Sequence, residues 1–223
     1  MSSVDCYYMA ASPPCRAVQL TAKSLGIELN LKPMDLMKKQ QLEPEFLQLN
    51  PQHCIPTIVD GDFVLWESRA ISCYLANKYG KDDTLYPKDP KARSLVDKLL
   101  YFDMGTLYLR FGEYVYPVLF LTEKPEPEKL EKLQEALQWF DTLLNNQQYA
   151  APGPRPTIAD HSLAATVATI QATGVSLDAY GNVASWVSRC QDSMPGWDQN
   201  LEGAQQFGAF FKLRLPEAKY YHH

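Results

Sequence analysis

An apolar run from Val4 to Ala10 stops at Ser12-Pro13-Pro14, and apolar residues at helical spacing begin directly behind it. The pattern reads as a strand feeding a helix, with Ser12 at the N-cap and Pro13 at the first helical position. That helix, over 13–25, carries Val18, Leu20, Thr21 and Leu25 and is closed by Gly26. A helix start presents free backbone N–H groups and a partial positive charge, so this point can bind an anion or stabilise one that forms during reaction. Read alone, Ser12 is only a helix cap.

The residues behind it extend the strand–helix alternation. Residues 29–36 alternate loosely as a second strand, and Pro33 inside it calls for an edge position or a bulge. Pro44 to Leu49 forms a short helix stopped by Asn50-Pro51. Asp60-Gly61 between two β-rich runs predicts an antiparallel hairpin over 57–59 and 63–66. Glu67-Ser68 opens a helix with Ile71, Tyr74, Leu75 and Tyr79 on one face, ended by Gly80. One mixed four-stranded sheet with helices on its faces satisfies this order.

From Lys81 to Pro90 the composition turns to charge, proline and threonine, the mark of a linker. Everything beyond reads as helix. Residues 91–120 form one long segment, and 128–144 places Leu130, Leu133, Leu137, Phe140 and Leu144 on one face. Thr157 at an N-cap with Asp160 three residues on starts a small-residue helix to Thr173. A helix over 182–191, a break at Pro195-Gly196 and two short helical pieces over 197–214 complete the chain. The division is an α/β domain over 1–80, a linker over 81–90 and an all-α domain over 91–223.

Composition narrows the setting. Of 223 residues 46% are hydrophobic and 21% charged, with net charge −5, so neither nucleic acid nor an anionic membrane is expected as partner. No stretch approaches the ~18 apolar residues of a membrane span. Met1-Ser2-Ser3-Val4-Asp5 lacks the basic and apolar regions of a signal peptide, which predicts a soluble, cytoplasmic protein. Five scattered cysteines without a C-x-x-C pair point to reduced thiols, and no Cys or His pair has zinc-ligand spacing. The terminal His222-His223 is set aside as native or a purification tag.

Together the motifs resemble the cytosolic glutathione transferases, and most closely the insect delta class (delta/epsilon-like). Tyr7-Tyr8 with Ser12-Pro-Pro-Cys-Arg-Ala-Val18, Asn50-Pro-Gln-His-Cys-Ile-Pro-Thr57, Leu65-Trp-Glu-Ser-Arg-Ala-Ile71, Leu85-Tyr-Pro-Lys-Asp-Pro90, Tyr101-Phe-Asp-Met-Gly-Thr-Leu-Tyr108 and Thr157-Ile-Ala-Asp160 carry the likeness over nearly the whole chain. The resemblance implies a thioredoxin-like first domain, a helical second domain, a homodimer, glutathione as cosubstrate with no tightly bound cofactor, and small hydrophobic electrophiles as second substrate in detoxification. It also implies the site. Ser12 would hold the glutathione sulfur as thiolate. Cys54 and Ile55 before a cis Pro56 would meet the cysteinyl unit, Ile55 pairing its backbone with it. Glu67 would bind the γ-glutamyl ammonium, Ser68 its carboxylate, with charge added by Arg69; His53 would reach the glycyl carboxylate. Where the class often carries histidine this chain has Gln41, so one glycyl-end contact is expected to be weaker or made by an amide.

The residue chemistry agrees on its own terms. Thiol–disulfide oxidoreductases carry a nucleophilic cysteine before this helix and a second one three residues on; here the pair is Ser12 and Cys15, so dithiol exchange by that route is disfavoured. A serine hydroxyl there can donate to a bound thiolate. Lowering a thiol pKa of ~8.5 by about two units corresponds to ~2.7 kcal/mol, within reach of a charge-assisted hydrogen bond (~1.5–3 kcal/mol) plus a helix terminus (~0.3–2 kcal/mol). Cys15 reads as a packed thiol. Tyr101, Phe102, Tyr108, Phe111, Tyr114, Tyr116 and Phe120 are too many rings for one buried stripe. Core packing takes most of them, and family likeness gives Ala11, Tyr108, Phe111, Tyr116, Phe120 and Phe207 to an apolar substrate pocket. Two rivals remain open: a non-catalytic protein that sequesters hydrophobic ligands, and a glutathione-dependent peroxidase or reductase working through Cys15.

Overall fold

The structure, a computed structural model, describes residues 4–121 and 123–215; the His222-His223 pair and the first three residues lie outside them. Its first half contains β1 (Val4–Tyr8), α1 (Pro13–Leu25), β2 (Leu29–Pro33), a 3₁₀ turn (Gln40–Leu42), α2 (Pro44–Leu49), β3 (Thr57–Asp60), β4 (Phe63–Trp66) and α3 (Ser68–Tyr79). The strand order is β2-β1-β3-β4, with β2 parallel to β1 and the other neighbours antiparallel. Pro33 therefore ends an edge strand, where its missing N–H leaves no central ladder bond unmade. Gly26 closes α1 in the left-handed conformation at φ 69°, and Gly61 turns the hairpin at φ 67°.

Two apolar clusters hold the molecule. Val4, Cys6 and Ile58 from the sheet pack with Val18 of α1 and Ile71 and Leu75 of α3. The larger cluster fills the helical half, made of α4 (Pro90–Phe102), α5 (Tyr108–Leu121), α6 (Pro127–Leu143), α7 (Ile158–Ala172), α8 (Gly181–Ser193) and α9 (Trp197–Arg214). It also takes in Leu20 of α1 and Ala76 of α3, so the seam between the halves is a continuous apolar layer. At its centre every residue of α7 from Ile158 to Ile170 is buried. A helix with water on no face needs small side chains all round, which accounts for its run of Ala, Ser and Thr.

Two expectations change. The long segment over 91–120 is divided by a π-helical turn, Asp103–Leu107, that swings the buried Asp103 carboxylate toward α3. The stretch over 197–214 is one helix of 18 residues, not two pieces. Two glycines inside it serve close approach. A Cβ at Gly203 would stand 2.2 Å from the Ala10 carbonyl oxygen, and one at Gly208 2.2 Å from that of Ala172.

Candidate functional site

Strand register gathers the candidate residues at one end of the sheet. Tyr7 of β1 pairs with Thr57 of β3, and Thr57 with Trp66 of β4. The segments leaving β1 (Ala11, Ser12), entering β3 (His53 to Pro56) and leaving β4 (Glu67 to Arg69) therefore converge. Ile55–Pro56 is cis. The loop before it is braced by the buried Asn50, whose Nδ2 donates to the Cys54 carbonyl (3.1 Å), the Cys54 sulfur (3.3 Å) and Thr57 Oγ1 (2.9 Å). Thr57 Oγ1 donates in turn to the Cys54 carbonyl at 2.8 Å, and Trp66 Nε1 to Gln52 Oε1 at 2.7 Å. Sequence reasoning missed Asn50 and Thr57 as supports, because Asn50-Pro51 reads simply as a helix stop.

Ser12 sits at the N-cap of α1 with φ −75° and ψ 118°, but its side chain makes no cap hydrogen bond. The two prolines narrow the choice of donors. Pro13 and Pro14 have no N–H, and the Ser12 N–H itself donates to the Met9 carbonyl at 3.0 Å. Of the free N–H groups expected at this helix start, Cys15 N–H is the one left, so the anion-binding capacity of the backbone is smaller than the generic case. The Ser12 hydroxyl, half-buried, is correspondingly free of helix duty. Cys15 is fully buried, and burial pushes its thiol up to about 11, outweighing the opposing influence of the adjacent Ser12 side chain. An inert thiol follows, against the reductase reading.

Glu67 caps α3 with φ 69°, a backbone conformation that non-glycine residues rarely hold, and its side chain is exposed. Ser68 behind it is buried. His53, also exposed, has φ 44°. These strained turns aim polar groups outward from rigid elements.

Arg69 is placed differently from the expectation of charge added at this helix start. Its Nη2 donates to Asp103 Oδ2 at 2.5 Å across the domain seam, with Nη1 3.4 Å from Ser68 Oγ and the guanidinium carbon 5.6 Å from the Tyr108 ring centroid. Ser162 Oγ of α7 donates to the same Asp103 oxygen at 2.6 Å. The side chain of Asp103 is completely buried, and its negative charge offsets the Arg69 charge. Arg69 thus ties the site to the helical domain.

The aromatic set divides as well. Phe111, with no exposed surface, belongs to the core, as does Phe207, 5.7 Å away between ring centroids. Helical geometry gives the reason: positions 111, 115 and 118 of α5 share the face turned to the core. Tyr108 and Tyr116 are half-buried, their hydroxyl oxygens 2.5 Å apart, and burial pushes both phenols upward. Phe120 stacks at 5.8 Å on Tyr116 but stands 64% exposed, a rim position. Ala11 packs against the helical core beside Ser12. Among the described residues no group of three or more His, Cys, Asp and Glu is placed to hold a metal ion, and no helix there is long and apolar enough to cross a membrane.

A four-stranded mixed sheet flanked by helices, with serine at the first helix start, is joined to a helical domain against the buried α7, the two-domain architecture of a thioredoxin-like fold with a helical partner. Residues 2–77 match the family model for the glutathione S-transferase N-terminal domain, and residues 95–193 that for the C-terminal domain. A delta-class glutathione transferase from Nilaparvata lugens is 48% identical, with a TM-score of 0.92 over 95% of this chain and 99% of that one. Bombyx mori glutathione transferase BmGSTD1 is 42% identical, with a TM-score of 0.91 over 94% and 98%. A glutathione transferase homolog from Drosophila mojavensis, solved with bound glutathione, is 37% identical with a TM-score of 0.92 over 96% and 99%. The chain belongs to the glutathione transferase family of enzymes, among insect delta- and epsilon-class neighbours.

Proposed function

We propose that this enzyme binds glutathione across the end of the sheet and activates its sulfur with Ser12. The supporting observation is the Ser12 hydroxyl itself, half-buried at the N-cap and making no cap hydrogen bond to the helix backbone. In this reading the hydroxyl donates to the sulfur, the thiol proton leaves to solvent, and the thiolate attacks the electrophilic carbon of an apolar acceptor, displacing its leaving group. Ile55 pairs its backbone with the cysteinyl unit, flanked by Cys54 and Pro56. Glu67 receives the γ-glutamyl ammonium and Ser68 its carboxylate, while Arg69 acts on that end through Ser68 and Asp103. His53 meets the glycyl carboxylate. The acceptor lies against Ala11, Tyr108 and Tyr116, with Phe120 at the rim, whereas Phe111 and Phe207 support those walls from behind. Detoxification of hydrophobic electrophiles, a cytoplasmic setting and a homodimer are part of the same proposal, the dimer being checked by light scattering.

The test is conjugation of a chlorodinitrobenzene-type acceptor by wild type and Ser12→Ala. Loss of one charge-assisted hydrogen bond of ~1.5–3 kcal/mol lowers kcat/KM by about 10- to 150-fold, with glutathione affinity nearly retained. A variant that binds glutathione normally and turns over at the full rate overturns the serine mechanism. Absence of turnover in wild type alongside binding of apolar dyes would establish the ligand-sequestering alternative.

A further inference from the structure

Arg16 is the least expected charge in the molecule. It is 2% exposed, and among the described residues it forms no salt bridge. Its Nη1 donates to the Asn200 carbonyl at 2.8 Å and to Asn200 Oδ1; its Nη2 donates to Thr169 Oγ1, with the Ala165 carbonyl at 3.4 Å. Every acceptor is neutral. A buried cation ordinarily has a carboxylate beside it, because neutral dipoles alone return only part of its lost hydration. Burial pulls its pKa down to about 10, which leaves it a cation at neutral pH.

Its position is specific. The Arg16 amide donates to the Ser12 carbonyl at 3.1 Å, so the two residues are one helical turn apart. A Cβ at Gly203 of α9 would touch both Arg16 Cδ (2.5 Å) and the Ala10 carbonyl oxygen (2.2 Å), placing the side chain beneath the loop that delivers Ala11 and Ser12. The titratable neighbours are Cys15 on the same helix, Lys23, which lines a crevice with Arg16 and Asn200, and the Tyr108 phenol from α5. Helix α7 offers Thr169, a backbone carbonyl and, two turns earlier, the neutral buried His161; α9 offers Asn200.

We propose that Arg16 is a positioning residue whose unpaired charge favours a bound thiolate at Ser12, supplying the positive potential that the Pro13-Pro14 helix start withholds. This inference rests on the glutathione–Ser12 reading. Asn200 keeps the guanidinium fixed without neutralising it, and the packing of α9 against Ala10 holds it under the loop.

Three variants test it, read by the ultraviolet absorbance of bound thiolate against pH and by the pH profile of kcat/KM. Asn200→Asp is the most direct. Asn200 Nδ2 has no partner, so exchanging it for oxygen breaks no hydrogen bond while pairing the guanidinium with a carboxylate. It raises the apparent pKa of the bound thiol by about one unit at unchanged or higher Tm. Arg16→Met raises it similarly, and Arg16→Lys, which keeps the charge, restores most of the wild-type value. If Asn200→Asp leaves the thiol pKa where it was, Arg16 is only an interdomain strut and the proposal fails. Ser12→Ala separates the two ideas: a shifted pKa there with none in Asn200→Asp sinks the Arg16 proposal alone, whereas no shift in Ser12→Ala sinks the reading beneath it.

Discussion

The starts of α1 and α7 solve the same problem in opposite ways. At α7 the Asp160 carboxylate accepts from the Thr157 N–H at 2.8 Å, the Thr157 hydroxyl at 3.0 Å, the Ala150 N–H at 2.7 Å and Trp186 Nε1 at 2.9 Å. Burial raises its pKa and these donors lower it, and no part of it reaches solvent. At α1 the serine makes no cap hydrogen bond, two prolines remove the N1 and N2 N–H groups, and the hydroxyl is left half-buried. A helix start whose polar groups are all spent is structural; one whose groups are left over is available to a ligand. Hydrogen-bond accounting separates the two where residue type does not, since Thr, Ser and Asp are all ordinary N-terminal residues.

Breaking the satisfied start has the largest effect. Asp160→Ala leaves several buried donors without acceptors and uncaps the central helix. It costs about 3–5 kcal/mol, a Tm drop on the order of 10 °C, in thermal and urea unfolding. A loss under about 1 kcal/mol would show that the carboxylate is dispensable and weaken the contrast with α1. Next comes the seam. Asp103→Asn keeps the shape but leaves Arg69 half-paired, with Asp103 Oδ1 and Arg69 Nε already lacking partners. A destabilisation of about 3 kcal/mol is expected, with a raised KM for glutathione because Arg69, beside Ser68, loses the charge that anchors it. Unchanged KM at reduced stability would confine Arg69 to a structural role.

How much of this was legible in the chain follows the same division. Strict periodicity gave α6, whose Leu133, Leu137 and Phe140 are buried with Leu144 at its C-cap, while Leu130 of the same face is half-buried. Glycine and proline punctuation gave the ends of α1 and the hairpin, and Pro33 its edge position. The π turn at Asp103–Leu107 was not legible, because one extra residue per turn leaves no mark on a run of mixed polarity. Nor was the continuous α9: Gly203 and Gly208 mean close approach only once Ala10 and Ala172 are known to lie there. In the site, motif likeness named the segments, but only packing shows that Phe111 is fully buried and that Arg69 pairs with Asp103. The free hydroxyl of Ser12 was partly legible, since Pro13-Pro14 in the sequence already removes two donors.

A third probe uses pH at the seam itself. His161 is fully buried between α7 and α1, Nδ1 3.0 Å from Thr21 Oγ1 and Nε2 3.1 Å from Ser24 Oγ, and burial lowers its pKa to about 3. The unfolded imidazole titrates near ~6.5, so between these values the unfolded chain holds a proton that the folded one refuses. Stability therefore falls as pH drops from about 6.5 toward 3, by up to ~1.4 kcal/mol per unit from this residue. His161→Gln removes that component while keeping polar atoms for the two hydroxyls. Urea unfolding of wild type and variant between pH 4.5 and 7 should show the wild type losing more; parallel curves would mean that the imidazole finds a proton acceptor in the fold.

The smallest expected effect sharpens the comparison most. Because the Ser12 side chain makes no cap hydrogen bond, Ser12→Ala should change stability by less than about 0.5 kcal/mol, against the ~1 kcal/mol typical of a lost cap. The same change lowers kcat/KM by about 10- to 150-fold while leaving Tm nearly unchanged. A real cap would reverse this ratio, costing stability first and activity only through it. Measured side by side with Thr157→Ala at the other helix start, where the hydroxyl donates to a buried carboxylate, the two variants should fall on opposite axes. If Ser12→Ala instead destabilises as much as Thr157→Ala, the hydroxyl is held by the helix in solution. The charge that favours the thiolate must then come from Cys15 N–H and Arg16 without it.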